Sequence, residues 1–438
     1  SFQRALVDCF GRLTQEGAAR LLQLDGAPDG GARGGSSGGS AGRHALDAFL
    51  LSRAKRALKL GVELRIPPVS GVVHSVKPGD TLLLNDGLIV LVVNGVYGEQ
   101  VHTTVKIGGE LSNNKGINKQ GGGLTAPALT AKDMEDIKTA MSFQADYIAV
   151  SFPKNATDME MARQLANVAG ESYKHKPGLI AKIERAEAIP RLEEILLASD
   201  GIMVARGDLA VEVGDAVVPA LQKRMIRMAR EFNKFTITAT QMMESMIESP
   251  VPTRAEVSDV ANAVIDGTDA VMLSAESAAG KYPVETVEAM VRICVEAEKS
   301  HRVSLDTEFL NRTFTRIDQS IAMSALFVAH HMQVKAIAAL TQSGSTALWM
   351  SRLNAGVPIY ALTPEEASRR RMTIYRDVRP MLSKYEAFDR DALLRACQSQ
   401  LLEAGVVEQG DLIVLTIGEP IGKAGGTNTL KLVRVGEH

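Results

Sequence analysis

An α/β fold is predicted for this 438-residue chain: five strand–helix units, preceded by a small all-β module and followed by a second α/β block. Three observations predict it. Short apolar or β-branched runs alternate with helical stretches from about residue 125, the alternation resumes after about residue 317, and a hairpin pattern with Gly-rich turns comes before both. A closed (β/α)8 barrel needs eight units, so five units indicate either that three are missing or that the sheet is open.

Composition excludes several classes of protein. The net charge is −2 and no block of like charge stands out, which argues against a nucleic-acid partner. The three cysteines, Cys9, Cys294 and Cys397, are odd in number and widely spaced with no C-x-x-C motif, which argues against a zinc site or a disulfide framework. No apolar run has the length of a membrane span and no signal peptide is recognisable. The sequence therefore predicts a cytoplasmic enzyme or binding protein with no membrane partner.

The N-terminal part differs in character from the rest. Residues 26–43 are almost entirely Gly, Ser, Ala, Pro and Arg, which predicts disorder. The flanking segments 5–24 and 45–65 have helical periodicity and no strand that would start a sheet. We therefore expect residues 1–66 to be a largely disordered segment. The all-β module is predicted at 67–124, where TLLLNDGLIVLVV (81–93) has an Asn-Asp-Gly turn between two β-rich runs.

Five strands are predicted in the region 125–300, and each is followed by a helical pattern. They are YIAVSF (147–152), LIAKIE (179–184), GIMVARG (201–207), FTITATQ (235–241) and AVMLSAE (270–276). The second α/β block is predicted at 301–438. Its strands are KAIAALT (335–341), PIYALT (358–363), DLIVLTIG (411–418) and TLKLVRV (429–435).

Polar residues follow or end each of the first five strands. They are Ser151, Lys182, Glu184, Arg206, Asp208, Thr240, Ser274 and Glu276. Since the carboxyl ends of parallel strands meet at one edge of a sheet, these side chains are expected to converge. Glu184 and Asp208 close neighbouring strands and would share one Mg²⁺, with Lys182 on the same face as Glu184. A structural cluster of ion pairs is the alternative interpretation.

Four long motifs in series carry a specific resemblance. LIAKIERAEAI (179–189), SDGIMVARGDLAVE (199–212), TITATQMMESM (236–246) and the segment 252–283, which ends in DGTDAVMLSAESAAGKYP, resemble the barrel of the pyruvate kinases. The β module resembles the mobile lid of that family, and the last block, with GGTNTLKLVRVG (425–436), resembles its C-terminal regulatory domain. The resemblance covers about residues 72–438. It implies an incomplete TIM-type barrel that carries an inserted lid.

The resemblance implies a Mg²⁺-dependent enzyme that transfers phosphate from phosphoenolpyruvate to ADP, giving pyruvate and ATP in the last step of glycolysis. Mn²⁺ would substitute for Mg²⁺, and K⁺ is expected of the family. The family also implies a homotetramer and a sugar-phosphate or nucleotide effector at the C-terminal domain.

Site residues follow from the resemblance position by position. Lys182 would steady the phosphoryl group and the enolate oxygen, and Glu184 and Asp208 would bind the metal. Thr240 would lie at the face where the enolate is protonated. The remaining matches have supporting roles: substrate-carboxylate binding for Ala205, Arg206 and Gly207, proton delivery for Ser274 and Glu276, contact with a neighbouring subunit's site for Arg254, and lid closure for Asp86 and the 115–118 loop that begins at Lys115.

One C-terminal loop is a candidate for an effector phosphate. TQSGST (341–346) follows a strand and precedes a helix, so its backbone amides would bind a phosphate. The candidate residues are Thr341, Ser343, Gly344, Ser345 and Thr346. An ordinary Ser/Thr helix cap is the alternative.

The sequence departs from the family at two places. Ala210 stands where the family usually has glycine, and neither R-x-N-F-S-H-G nor D-x-x-G-P-x-I-R, which carry a substrate arginine and the K⁺ ligands, occurs in the 438 residues. A frame shift or mis-called start would explain this, and a true N-terminal replacement is the other explanation. The remaining alternatives for function are a catalytically impaired remnant and a different metal-dependent enolate-handling barrel, such as a lyase or aldolase.

Overall fold

The computed structural model describes residues 56–58, 61, 63–66, 74–85, 87–111, 117–124, 128–300, 313–353, 356–383, 390–422 and 425–437. These residues form two compact units. The N-terminal unit contains the described residues up to Phe232 together with Thr236–Gln241, and the C-terminal unit contains Asn233–Phe235 and the residues from Met242 onward.

Seven short strands form the β module of the N-terminal unit. They are β1 (Arg56–Leu58), β2 (Glu63–Ile66), β3 (Thr81–Leu84), β4 (Ile89–Tyr97), β5 (Gln100–Ile107), β6 (Gly109–Leu111) and β7 (Ile117–Lys119). The main sheet has the order β2-β5-β4-β3-β7 with antiparallel pairs, and β1 pairs with β6. The predicted hairpin is confirmed: Leu84 pairs with Ile89, and Asn85 accepts a backbone hydrogen bond from Leu88. Leu82, Leu84, Ile89 and Leu91 form its core because alternate residues face inward.

The expectation of no strand before residue 67 is wrong. β1 and β2 both lie in that range, and β2 pairs along its whole length with β5, from Glu63 opposite Thr104 to Ile66 opposite Val101. Strands of three and four residues are too short to show their own periodicity. Pairing with a distant strand decides them, so a local helical pattern misleads. The other predictions for 1–66 concern residues outside the described set.

Strands and helices alternate along the rest of the N-terminal unit. In chain order they are α1 (Ala131–Ser142), β8 (Tyr147–Val150), α2 (Ala156–Gly170), β9 (Gly178–Ile183), α3 (Leu192–Ala198), β10 (Gly201–Ala205), α4 (Arg206–Val213), α5 (Val218–Glu231) and β11 (Phe235–Ala239). The sheet order is β11-β10-β9-β8, and the pairs β8–β9 and β9–β10 are parallel.

The strand β8 is the exposed member of this sheet. Within the described residues of the N-terminal unit it pairs with β9 on one side only. Its Tyr147 and Ile148 are half-buried and Ala149 is exposed, whereas β10 and β11 are buried at every position. An unpaired strand edge offers backbone donors and acceptors to other chains, so β8 is the point where further strands would add.

The C-terminal unit contains the fifth predicted strand, which follows helix α6, and a separate five-stranded sheet. Its elements are α6 (Arg254–Asp266), β12 (Ala270–Met272), α7 (Ala275–Ala278), α8 (Pro283–Ser300), α9 (Ile317–Met332), β13 (Ala336–Leu340), α10 (Ser345–Ser351), β14 (Ile359–Thr363), α11 (Glu366–Met372), β15 (Val378–Leu382), α12 (Arg390–Glu403), β16 (Leu412–Gly418) and β17 (Thr427–Arg434). The sheet order is β15-β14-β13-β16-β17, parallel except for the last pair. The four predicted strands are present. β15 was not predicted, because Arg379 and Pro380 interrupt its apolar pattern.

A buried charge pair joins two segments of the C-terminal unit. Asp269, directly before β12, has a fully buried carboxylate, and the side chain of Arg352, after α10, is 2% exposed. Arg352 donates both Nη atoms to this carboxylate, with Nη1 at 2.8 Å from Oδ2. The Arg376 N–H also donates to it at 2.9 Å. Each partner supplies charge that the other needs in an apolar surrounding, so losing one of them leaves a buried charge without its counter-ion.

The single tryptophan of the chain, Trp349, lies on α10. The Arg316 guanidinium carbon is 5.4 Å from its ring centroid, and Arg316 also pairs with Asp318. The indole is half-buried against the core between α9 and the sheet. None of the helices in the described ranges combines the length and apolarity needed to cross a membrane.

Candidate active site

Four strand ends of the N-terminal unit carry the predicted polar residues. Ser151 follows β8, Lys182 lies in β9 and Glu184 follows it, Arg206 opens α4 directly after β10, and Thr240 follows β11. The β8–β9 and β9–β10 pairs are parallel, so their carboxyl ends lie at one edge. Active sites of parallel α/β sheets form at this edge.

Lys182 and Glu184 form a close ion pair there. The Lys182 Nζ lies 2.6 Å from Glu184 Oε1, and it donates to Ser151 Oγ at 3.1 Å. The Phe152 N–H donates to Glu184 Oε2 at 2.8 Å. Glu184 is 1% exposed and Lys182 is 25% exposed. The ammonium group is therefore held by the carboxylate and the Ser151 hydroxyl, while part of the Lys182 side chain is exposed.

The Glu184 carboxylate is a site for additional positive charge. Burial raises its pKa, and the negative charge of Asp208 raises it further, although Lys182 acts in the opposite direction. A divalent cation would relieve the repulsion between the carboxylates of Glu184 and Asp208. Mg²⁺ takes few protein oxygens and completes its coordination with water and substrate. The donor set of Glu184 and Asp208 fits this ion.

The turn at Ala205–Asp208 is fixed to the end of β11. The Gly207 N–H donates to Thr240 Oγ1 at 2.7 Å, and Arg206 Nη2 donates to the Thr240 carbonyl oxygen at 2.7 Å. Arg206 is buried, and its guanidinium also reaches the carbonyl oxygens of Ala239 and Gln241. Its side chain therefore positions two strand ends relative to each other.

Thr240 is held in a strained backbone conformation. Its φ is +67° and that of Gln241 is +54°, in the left-handed region that non-glycine residues avoid. The Thr240 hydroxyl donates to the Ala239 carbonyl at 2.7 Å. Two successive residues of this kind persist only where the surroundings enforce them, and such strain is typical of functional sites.

The C-terminal unit contains three of the residues predicted to act in catalysis: Arg254, Ser274 and Glu276. Glu276 is 2% exposed and accepts from the backbone N–H of Ser274 at 2.7 Å and of Met243 at 3.2 Å. Arg254 is the first residue of α6 and is exposed. Ser274 and Glu276 are thus hydrogen-bonded to each other. The lid candidates Asp86 and Lys115 lie outside the described residues.

The candidate effector loop lies between β13 and α10. Gly344 is the residue that caps α10, with no side-chain cap bond, and its N–H donates to Thr341 Oγ1 at 2.9 Å. Thr346 shares a 2.7 Å hydrogen bond with Thr427, and Ser343 donates to Ser345 at 3.2 Å. A cavity lies beside the loop, lined by residues that include Leu340, Thr341, Gln342, Thr346 and Thr427.

Sequence reasoning missed three residues near the carboxyl ends of the strands of the N-terminal unit: Arg185, Glu187 and Glu212. Each contacts residues that lead out of the β module. Arg185 also stacks its guanidinium over Phe152, 5.3 Å from the ring centroid. They stand inside two of the four motifs, but their contacts with residues 121–124 depend on the return of the β module to the barrel. No sequence signal shows that return.

Glu212 gives a prediction for the dependence of stability on pH. Burial raises its pKa from 4.5 to about 7, with the charge of Glu187 adding to the effect. The folded protein therefore binds this proton more tightly than the unfolded chain does. The resulting stabilisation is complete below pH 4.5, falls as pH rises towards 7, and is constant above that. Glu212→Gln removes the titration, so the free energy of unfolding of the variant should gain about 2–4 kcal/mol on the parent between pH 4.5 and 8. Thermal unfolding of both proteins across this range measures the difference, and a constant difference would contradict the prediction.

Comparison with known proteins supports the resemblance seen in the motifs. The model of the pyruvate kinase barrel domain matches residues 57–287, and that of the pyruvate kinase alpha/beta domain matches residues 319–433. The barrel match begins earlier than residue 72, in agreement with strands β1 and β2.

Curated relatives cover most of the chain. The chain is 48% identical to pyruvate kinase II of Salmonella typhimurium over 381 residues. This matched region is 86% of the present chain and 77% of the Salmonella protein. It is 50% identical to the pyruvate kinase of Haemophilus influenzae, over 79% of this chain and 72% of the relative. It is 39% identical to that of Thermotoga maritima, over 84% and 77% respectively.

Proposed function

This chain belongs to the pyruvate kinase family, and from that premise we propose that it transfers the phosphoryl group of phosphoenolpyruvate to ADP at the edge formed by Lys182, Glu184, Asp208 and Thr240. The family identifies it as a phosphotransferase with a partial TIM-type barrel and an α/β C-terminal domain. The observation that carries the assignment of the site is the Lys182 ammonium beside the buried Glu184 carboxylate, whose pKa is raised by burial and by Asp208.

Lys182 has the central role in this proposal. Its Nζ is fixed by Glu184 and Ser151, and its side chain is one-quarter exposed, so it would donate to an oxygen of the phosphoryl group and to the developing enolate. A preorganised cation stabilises charge that appears in the transition state without reorganising solvent. Phosphoryl transfer depends largely on such electrostatics and on positioning.

Glu184 and Asp208 would hold Mg²⁺, or Mn²⁺ in its place. The ion would supply positive charge to the phosphoryl and carboxylate oxygens of the substrate. Without it, the negative charges of the two carboxylates disfavour each other. K⁺ is also expected of the family, but the segments that carry its ligands in the resemblance do not occur in these 438 residues.

The turn at Ala205–Gly207 would bind the substrate carboxylate. α4 begins at Arg206, so its first backbone N–H groups and the positive end of its dipole favour an anion there. The Gly207 N–H also donates to Thr240, which links this turn to the residue proposed to stand at the protonated face of the enolate. Ser274 and Glu276 would support proton delivery.

Further proposals concern assembly and regulation. The chain would form a homotetramer in which Arg254 reaches a neighbouring subunit, and Asp86 and Lys115 would close over the substrates. A sugar-phosphate or nucleotide effector would bind at 341–346, a proposal supported by the cavity beside that loop. A cytoplasmic location is supported by Cys294 and Cys397, which are buried and form no disulfide within the described part of the chain. The lyase or aldolase alternative is not favoured, because the family's α/β domain matches residues 319–433.

Turnover tests the proposed function. Purified protein incubated with phosphoenolpyruvate, ADP and Mg²⁺ should form pyruvate and ATP in equal amounts, and omission of any of the three should stop the reaction. Absence of pyruvate at saturating concentrations of all three, with K⁺ present, would refute the activity. It would leave the catalytically impaired remnant as the alternative.

Glu184→Ala and Asp208→Ala test the metal site. Each variant should raise the Mg²⁺ concentration for half-maximal activity by at least about tenfold, because each removes one of few protein oxygens from the ion. Mn²⁺ should restore part of the activity. Glu160→Ala, an exposed carboxylate on α2, is the matched control and should leave the metal dependence unchanged. If both site variants keep the parent's metal dependence, the two carboxylates form a structural ion-pair cluster instead.

A further inference from the structure

The segment that leads from the β module back to the barrel contains three successive glycines. We call residues 118–124 the stem. Gly121, Gly122 and Gly123 have φ of +84°, +77° and +90°, which L side chains rarely adopt. Glycine has no Cβ, so it adopts this and similar backbone conformations with little steric strain. The stem can therefore rotate with few steric barriers, and whatever fixes its direction must come from outside it.

Three residues of the barrel fix the backbone of the stem. The Glu212 carbonyl oxygen accepts from the Gly121 N–H at 2.8 Å. The Glu187 Oε1 atom accepts from the Gly123 N–H at 2.5 Å. Arg185 Nη1 donates to the Leu124 carbonyl oxygen at 3.3 Å. Bonds to a charged acceptor are the stronger ones, so the contact of Glu187 should contribute most.

The two carboxylates make further contacts at the same place. Glu212 Oε2 accepts from the Ala186 N–H at 2.7 Å, and its carboxylate hydrogen-bonds the side chain of Asn118 at the start of the stem. Among the described atoms, the second carboxylate oxygen of Glu187 is buried without a hydrogen bond. It lies 2.8 Å from the position of a Cβ at Gly122, so the carboxylate packs directly on the glycine backbone. A buried oxygen without a hydrogen-bond donor lowers the stability of the folded protein, so its presence here calls for an explanation other than stability.

The residues that hold the stem lie on the segments of the proposed metal ligands. Glu187 comes three residues after Glu184, and Glu212 lies one helical turn after Asp208 on α4. A Cβ at Gly87, in the hairpin turn of the lid, would be 3.8 Å from Val211 Cγ2 on the same helix. Both the stem and the hairpin turn of the β module, which the resemblance identifies as the lid, thus lie against the segments that carry the Glu184 and Asp208 carboxylates.

We propose that Glu187 and Glu212 are positioning residues that latch the stem and so set the orientation of the lid relative to the segments carrying Glu184 and Asp208. The latch goes beyond the proposed function and rests on it only for its effect on turnover. Each carboxylate makes one contact with the stem, that of Glu187 with the Gly123 N–H and that of Glu212 with the side chain of Asn118, and so few contacts can break and re-form. When they break, the lid loses its fixed relation to α4, and the substrates that it covers bind less tightly.

Hydrogen exchange of the protein without substrate tests the latch directly. In Glu187→Ala the amides of Gly121–Leu124 should exchange about tenfold faster than in the parent, since the Gly123 N–H loses its acceptor. Glu187→Gln keeps an acceptor oxygen and should show a smaller increase. Glu193→Ala, an exposed carboxylate on α3, is the matched control and should leave the stem unchanged. Unchanged exchange of the stem in Glu187→Ala would overturn the proposal, and so would equal increases in Glu187→Ala and Glu193→Ala.

Steady-state kinetics separates positioning from a merely structural role. The KM for ADP should rise about fivefold in Glu187→Ala while kcat falls less than about twofold, because saturating nucleotide closes the lid even without the latch. Glu187→Gln should restore most of the KM. A fall in kcat with unchanged KM would overturn the role in substrate binding. If the parent protein shows no turnover, the proposed function fails while the exchange experiment still decides whether the latch exists.

Discussion

Lys182→Met is expected to lower kcat by about 30- to 150-fold, with the fold intact. The variant removes the ammonium group that lies 2.6 Å from Glu184 and keeps the aliphatic part of the side chain, which is most of what packs. A fixed group that stabilises transition-state charge contributes about 2–3 kcal/mol, which corresponds to that loss in rate. The measurement is turnover at saturating phosphoenolpyruvate, ADP and Mg²⁺, together with a thermal unfolding curve.

Lys176→Met is the control for this prediction. Lys176 is exposed and precedes the same strand, β9, so the substitution makes the same chemical change away from the strand ends. It should leave kcat within about twofold of the parent, as surface substitutions usually do. Activity of Lys182→Met above a tenth of the parent would show that the ammonium group is not central to the reaction. A large drop in the unfolding temperature would show that Lys182 acts through the fold.

Of the substitutions proposed here, Asp269→Ala is expected to lower the free energy of unfolding most. It leaves the buried guanidinium of Arg352 without its counter-ion and removes an acceptor from the Arg376 N–H. Breaking one side of a buried ion pair costs about 3–5 kcal/mol. Calorimetry should show an earlier unfolding transition. Asp391→Ala, which breaks an exposed pair with Arg390 on α12, should change stability by about 0.5 kcal/mol or less.

A double variant separates burial of charge from attraction between charges. Asp269→Leu combined with Arg352→Met removes both charges and fills similar volume, so it should recover more than half of the stability lost in Asp269→Ala. Well-packed apolar replacements of a buried pair are often neutral for this reason. If the double variant is less stable than Asp269→Ala, the pair itself, with its bond to the Lys234 carbonyl oxygen, holds these segments together.

The sequence predicted the strand-end chemistry because that chemistry is local to each strand. In a parallel sheet, a side chain at the carboxyl end of one strand lies beside the side chains at the carboxyl ends of the adjacent strands, so the fold class alone predicts its neighbours. Lys182 and Glu184, two residues apart on β9, share a face by strand geometry, and the structure gives them a 2.6 Å contact. The roles of these residues in catalysis remain predictions.

Features that depend on distant pairing could not be predicted in this way. β1 and β2 exist through their pairing with β6 and β5, and the contacts of Glu187 and Glu212 with the stem form only where it returns to the barrel. Arg206 was predicted within the strand 201–207 but opens α4, and its side chain is occupied by the carbonyl oxygens at the end of β11. One-dimensional patterns show which residues can ionise and leave open which of them are already engaged by the backbone.

Trp349 is an intrinsic fluorescence probe of the C-terminal unit. A protein with one indole, excited at the red edge of its absorption, emits from one place only, here helix α10 of the C-terminal unit. The cation of Arg316 above the ring makes the emission sensitive to any shift of either group. Quenching or a spectral shift on addition of a compound would therefore report an event in the C-terminal unit. Titration with candidate effectors needs no label and no engineered fluorophore.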